Sequence, residues 1–211
     1  MNFVNLRLYK GCEWIMRFAF VNLLWIIFTF FGFGILGFFP STIAMFSVVR
    51  KWIMGESDIP VLKTFWISFK SEWIKSNVLG GVLALIGVLI FVDIKVLFHS
   101  VDPVIQWSKY PVILLAIIFS QLLIYVFPTY VHYDVPLFQV LKNSLFIMLI
   151  NPFNNLVLLL ALLSMIFVGQ ISPPFIIIFG GSISAFIIMW SCHRCFLNIQ
   201  RKKEALNTSK P

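Results

Sequence analysis

Two short stretches carry residue types that could do chemistry. Cys192-His193-Arg194-Cys195 has the CxxC spacing of half a zinc site, and Gly180-Gly181-Ser182 puts a serine among glycines. A structural zinc takes four ligands. The third cysteine is Cys12, and no second cluster exists, so Cys192 and Cys195 read as small apolar fillers of a helix end and no metal is expected. A serine nucleophile needs a base within hydrogen-bonding reach. His193, the histidine on that helix, lies eleven residues beyond Ser182, roughly 16 Å along the axis. Helix packing is the better role for that serine. Walker A, HExxH and GxSxG sequences are absent, so the expectation is no enzyme and no cofactor.

What remains is the chemistry of charged groups at a membrane edge. Of the 211 residues, 60% are hydrophobic and 11% charged, with 24 phenylalanines. A soluble domain carries roughly 25% charged residues. Several windows reach the roughly 20 apolar residues that a span needs, and strands cannot supply runs of that length. The expected fold class is all-α: a polytopic helical membrane protein forming a single membrane domain. The net charge of +8 then reads as basic residues held on the cytoplasmic side near anionic lipid, with no nucleic acid.

The stretch from Phe39 to Asn77 is the long break in this apolar chain. It holds Arg50, Lys51, Lys63, Lys70, Lys75, Glu56, Asp58 and Glu72, eight of the 24 charged side chains. Arg50, Lys51, Trp52, Lys63 and Lys70 are the candidate contacts for lipid headgroups or an acidic partner surface. After Pro60, residues Leu62, Phe65, Trp66, Phe69 and Trp73 share one face at helical spacing, which predicts an amphipathic interfacial helix ending at Asn77. The segment from Pro40 to Met54 is expected to dip into the interface. Asp58 and Asp134, each two residues before a proline, are expected to cap the helices that follow.

Five spans must position these groups: about 14–36, 78–97, 111–130, 156–168 and 175–195. Span four is short unless Pro152 onward contributes. Glu13 and Arg17 stand four apart, as a helical ion pair does. Asn22 lies deeper, where a polar side chain bonds to a neighbouring helix. A short polar loop is expected from His99 to Lys109, a second interfacial stretch over 132–150, and a polar, basic tail over 200–211. Gly180/Ser184 and Gly181/Ala185 have the small-xxx-small spacing of close helix packing. Five crossings put the termini on opposite sides. With the 39–77 loop inside, eleven basic residues are cytoplasmic and five outside, so the N-terminus is expected out and the C-terminus in, across a bacterial plasma membrane.

The chain also echoes itself. Phe39-Pro40 leads to Asp58-x-Pro60, an amphipathic helix and Asn77 before span two. Phe127-Pro128 leads to Asp134-x-Pro136, another such helix and Asn154-Asn155 before span four. This predicts two parallel half-repeats.

Phe39-Pro40-Ser41-Thr42, Val49-Arg50-Lys51-Trp52, Gly55-Glu56, Asp58-x-Pro60, Phe69-Lys70 and Ser76-Asn77 resemble the bacterial YesL family of small multi-span proteins. Glu13-Trp14-x-Met16-Arg17 looks like its opening, and Phe127-Pro128 and Leu141-Lys142-Asn143-Ser144-Leu145 resemble its second half. The resemblance implies no catalytic residues. It implies encoding beside ABC-type importers for oligosaccharides and beside two-component sensors. The expected role is therefore a non-catalytic accessory or scaffold subunit of a carbohydrate importer, in contact with its permease subunits. A self-standing carrier or channel, and a membrane partner of a sugar-sensing kinase, stay open as alternatives, as does association with a second copy. Nearly pure Leu, Ile, Val and Phe at midspan speak against an ion-coupled carrier.

Overall fold

The computed structural model describes residues 3–99 and 107–208, helical almost throughout and with no strand among them. The helices are α1 (Phe3–Phe31), α2 (Ile35–Ile53), α3 (Val61–Ser71), α4 (Trp73–His99), α5 (Lys109–His132), α6 (Leu137–Ile150) and α7 (Pro152–Ile171). A turn at Pro173–Phe175 and a π-helical stretch, Ile176–Gly180, then lead into α8 (Gly181–Thr208). Most of the expected 99–109 loop, and the tail from Ser209 onward, lie outside the described residues.

Among the described residues, five helices are long and apolar enough to cross a membrane: Tyr9–Phe31, Trp73–His99, Lys109–His132, Pro152–Ile171 and Pro173–Asn198. The chain is a multi-pass helical membrane protein. The boundaries move where local chemistry decides them. Pro152 does begin its helix, since a proline in the first turn loses no intrahelical bond. The amphipathic helix stops at Ser71 rather than Asn77. Trp73 opens α4, and Asn77 lies in the early turns of α4, donating Nδ2–H to the Trp73 carbonyl at 2.8 Å.

Between α1 and α2 the chain reverses through Gly32, Phe33 and Gly34, the last two at φ 60° and 71°. A Cβ on Gly32 would lie 2.3 Å from the Gly37 Cα, so only glycine lets the two helices meet there. α2 then runs back along α1, and the Trp52 ring reaches Trp14 at 5.5 Å. One expectation is corrected here. The segment from Pro40 to Met54 does not lie in an interface; it is the centre of the protein, with Pro40 through Phe46, Val48, Val49 and Trp52 all buried. An apolar helix folded back by the hairpin buries more surface between α1, α3 and α8 than it would at a membrane surface.

The hairpin also decides which segments share an end of the molecule. Because α2 returns, the start of α1 and the polar turn after α2 share one end of the molecule, and Arg17 donates to the Ser57 carbonyl. α8 comes back to that end as well: Phe186 packs on Phe18 at 5.3 Å, and further along His193 meets His132 at 6.0 Å. Beyond His193, α8 therefore runs on past the end of the helix packing from which α1 starts.

The half-repeat is visible in element order. α2–α3–α4 and α5–α6–α7 each run from a helix containing a buried proline (Pro40, Pro128), through a turn, to a shorter helix and then a span. Phe46 and Phe127 stack at 5.9 Å where the two meet. The caps differ from expectation. Pro60 and Pro136 occupy the N-cap positions of α3 and α6, with no side-chain cap. Asp58 pairs with Arg17 instead, and Asp134 lines a cavity.

Among the described residues, three apolar clusters fill the interior. Val21, Leu24, Val48, Phe65 and Met189 join α1, α2, α3 and α8; Tyr125, Ile147, Cys192, Cys195 and Phe196 join α5, α6 and α8; Leu79, Leu83, Val126 and Val140 join α4, α5 and α6. Cys192 and Cys195 are free and buried, as fillers should be.

A polar cavity as the candidate functional site

Helical spacing brings the polar groups together. Ile43, Ser47 and Arg50 stand on one face of α2, at steps of four and three. Ser68, Ser71, Glu72 and Lys75 repeat that stripe across the one-residue break between α3 and α4. The last turn of α5 adds Tyr130 and His132. The chain then leaves the helix through Tyr133 in an extended conformation and lays Asp134 and Pro136 along the rim. Together they enclose about 660 Å³.

Inside, the Tyr130 hydroxyl donates to the Glu72 carboxylate and ties α5 to the start of α4. Arg50 has no carboxylate within ion-pair distance among the described residues, and its buried Nε finds no hydrogen-bond partner. Standing in the last turn of α2, it is favoured by the helix C-terminal dipole. The His132 ring stacks on Phe196 at 4.3 Å and meets Tyr133 edge-on at 4.7 Å, leaving a buried Nδ1 without a hydrogen-bond partner among the described residues. Burial pushes the Tyr133 hydroxyl above its ordinary pKa, so it stays protonated at neutral pH. The site thus offers two cations, two carboxylates and several hydroxyls, enough to bind an anionic or polyhydroxylated group.

Two other polar centres are structural. Arg17 holds Glu13 at 2.5 Å, Asp58 at 3.2 Å and the Ser57 carbonyl, fastening α1 to the turn after α2. On the far side of α5, the Tyr125 hydroxyl donates to Asn155 Oδ1 at 2.5 Å and accepts from Asn154 at 3.1 Å, while Ser191 donates to Asn154 at 2.6 Å. These bonds join α5, α7 and α8. Asn154 and Asn155, which the sequence echo places just before span four, are the knot between three helices.

Of the five expected contact residues, Arg50 alone lines the cavity. Trp52 is corrected: at 5% exposure it is a core residue, packed on Trp14 and Phe18, and cannot meet a partner or a headgroup. Lys51 is half-buried, and Lys63 and Lys70 are exposed on α3, with Lys70 beside a shallow groove between Trp66 and Trp73. Phe39 packs on Gly80, where a Cβ would strike its ring, and Asn143 is half-buried in α6. Glu72, Lys75, Tyr130 and His132 escaped sequence reasoning as site residues. A signal existed in the Tyr130-x-His132-x-Asp134 run directly after Phe127-Pro128. Among the described residues, no group of three His, Cys, Asp or Glu could hold a metal ion.

A family model described as "Protein of unknown function, DUF624" matches residues 18–94, a range that includes Arg50, Glu72 and Lys75. Three proteins of Bacillus subtilis (strain 168) are similar over most of the chain. The uncharacterized protein YteU is 36% identical over 195 residues, 92% of this chain and 87% of its own length. The uncharacterized protein YesL is 31% identical over 193 residues, 92% of this chain and 91% of its own. The uncharacterized protein YesV is also 31% identical over 193 residues, 90% of this chain and 91% of its own. No solved structure matches. Likeness at this level along nearly the whole length, with the family model on the first two spans, means that the chain belongs to the YesL-like family described as DUF624.

Proposed function

We propose that this protein is a non-catalytic accessory subunit of an ABC-type carbohydrate importer, held in the bacterial plasma membrane by its apolar helices and docked through α3. The distribution of polar groups carries this reading. Between the helices the packing is mostly apolar, the Tyr125–Asn154–Asn155–Ser191 and Asn22 bonds are closed on protein groups, and the buried hydroxyls of Thr42, Ser76 and Ser144 donate to carbonyls of their own helices. A solute or ion crossing the protein alone would find few groups to exchange with. Lys63 and Lys70 instead stand outward on α3 beside exposed Leu62, Trp66 and Ile67. A basic and aromatic surface of that kind suits an acidic patch on a partner. The importer itself comes from the resemblance to a family encoded beside such systems. By the positive-inside rule this end, with both described ends of the chain, faces the cytoplasm.

Purification of a tagged chain from its native membrane in mild detergent tests the proposal. Importer permeases should accompany it stoichiometrically, and the Lys63→Glu/Lys70→Glu double variant should release them. Recovery of the protein alone, under conditions that keep such importers intact, would end this reading. Recovery with a sensor kinase would replace it by the signalling one.

A further inference from the structure

The cavity holds a half-buried cation with no counter-charge among the described residues. Arg50 pairs with no carboxylate among the described residues, and its Nε is shut away from solvent with no acceptor. A buried guanidinium donor with no partner costs free energy. Natural structures tolerate that where something else supplies the acceptor. The carboxylates described at the cavity do not: Glu72 is engaged by the Tyr130 hydroxyl, and Asp134 is exposed at the rim. Lys75 adds a second positive charge one turn beyond Glu72 on the same wall. Beside them on the same two walls, Ser47, Ser68 and Ser71 line the cavity with hydroxyls, which suit a ligand carrying hydroxyls of its own.

We infer that this cavity binds a phosphate-bearing polyol, its phosphate seated between Arg50 and Lys75 and its hydroxyls against the serines and the Glu72 side. The planar guanidinium fits two phosphate oxygens at once, and the lysine adds a point charge. A volume of about 660 Å³ is within the range of small-molecule sites. Two sources share this chemistry. One is the glycerophosphate headgroup of an anionic lipid, because the cavity lies against the ends of the apolar helices α4 and α5. The other is a soluble sugar or glycerol phosphate. The inference does not depend on docking to an importer.

The test uses the full chain in nanodiscs. In neutral phosphatidylcholine discs, glycerol 1-phosphate is titrated by calorimetry. In parallel, native mass spectrometry scores the phosphatidylglycerol retained from mixed phosphatidylglycerol–phosphatidylcholine discs. Saturable glycerol phosphate binding identifies the soluble source, and retained phosphatidylglycerol the lipid one. Either should fall at least tenfold in Arg50→Gln and be partly recovered in Arg50→Lys. Lys95→Gln, exposed near the far end of α4 and outside the cavity, should leave it unchanged. Unfolding midpoints of all variants, taken without ligand, separate lost binding from lost folding. If Arg50→Gln does not fold, Lys75→Gln takes its place, with a fall of at least threefold expected. Absence of both ligands from the wild-type protein would overturn the inference, and so would equal binding by wild-type and a folded cavity variant.

Discussion

Arg17 shows how one side chain fixes the geometry of an end. Its guanidinium is 18% exposed and bonds three ways, to Glu13 one turn back, to the Ser57 carbonyl and to Asp58. Asp58 is 93% exposed, so water screens that pair and it contributes little. The carbonyl bond and the helical pair carry the stability. Arg17→Ala should cost about 1–3 kcal/mol, whereas Asp58→Asn should shift the unfolding midpoint in detergent hardly at all. Equal shifts would mean that the exposed pair, not the buried carbonyl, fastens the turn. The Glu13–Arg17 pair was legible because four-residue spacing is a local signal. The bond to Ser57 was not, since it joins positions forty apart. Trp52 misled for a related reason: beside Arg50 and Lys51 it reads as an interfacial anchor, yet its helical angle turns it inward onto Trp14 and Phe18.

At the scale of the element, the span beginning at Pro173 contains a π-helical stretch that α1 repairs. A π-helix pairs residues five apart, and Asn22 inserts its amide between two of them: Nδ2 donates to the Ile177 carbonyl at 2.7 Å, and Oδ1 accepts from the Ser182 N–H at 3.1 Å. Sequence alone predicted that Asn22 would bond to a neighbouring helix. The π stretch that it serves left no periodic mark, because one extra residue per turn vanishes within an apolar run. Gly181 completes the fit, since a Cβ there would lie 2.7 Å from the Asn22 oxygen and otherwise meet only ordinary contacts. Asn22→Ala should therefore destabilise by about 1–3 kcal/mol, by leaving two backbone groups unpaired. Gly181→Ala alone should destabilise as well. Combined with Asn22→Ala it should be harmless or slightly stabilising, since the obstructing oxygen is gone and alanine favours helix. Unfolding midpoints of the four proteins form a double-mutant cycle. Additive losses would show that Gly181 is not held small by Asn22.

For the whole molecule, composition made the membrane class and the five long helices readable, and the Phe-Pro and Asp-x-Pro echoes made the repeated element order readable too. The path of α2 was not, and the reason is specific. Hydropathy counts α2 as a short polar-ended segment, whereas its path is set by the contact between Gly32 and Gly37 and by ring packing of Trp14, Phe18 and Trp52. Once α2 returns along α1, the basic residues near the start of the chain no longer fall on the side away from Arg50 and Lys51. The same positive-inside logic that left them stranded now gathers them with the rest. Reporters fused to the N- and C-termini and read in intact cells should accordingly report the same compartment. Insertion of a short epitope after Gly55, in the exposed turn, should report that compartment as well. Opposite compartments for the two termini would mean that α2 does not fold back along α1 in the membrane, and the cavity would lose the wall that carries Arg50.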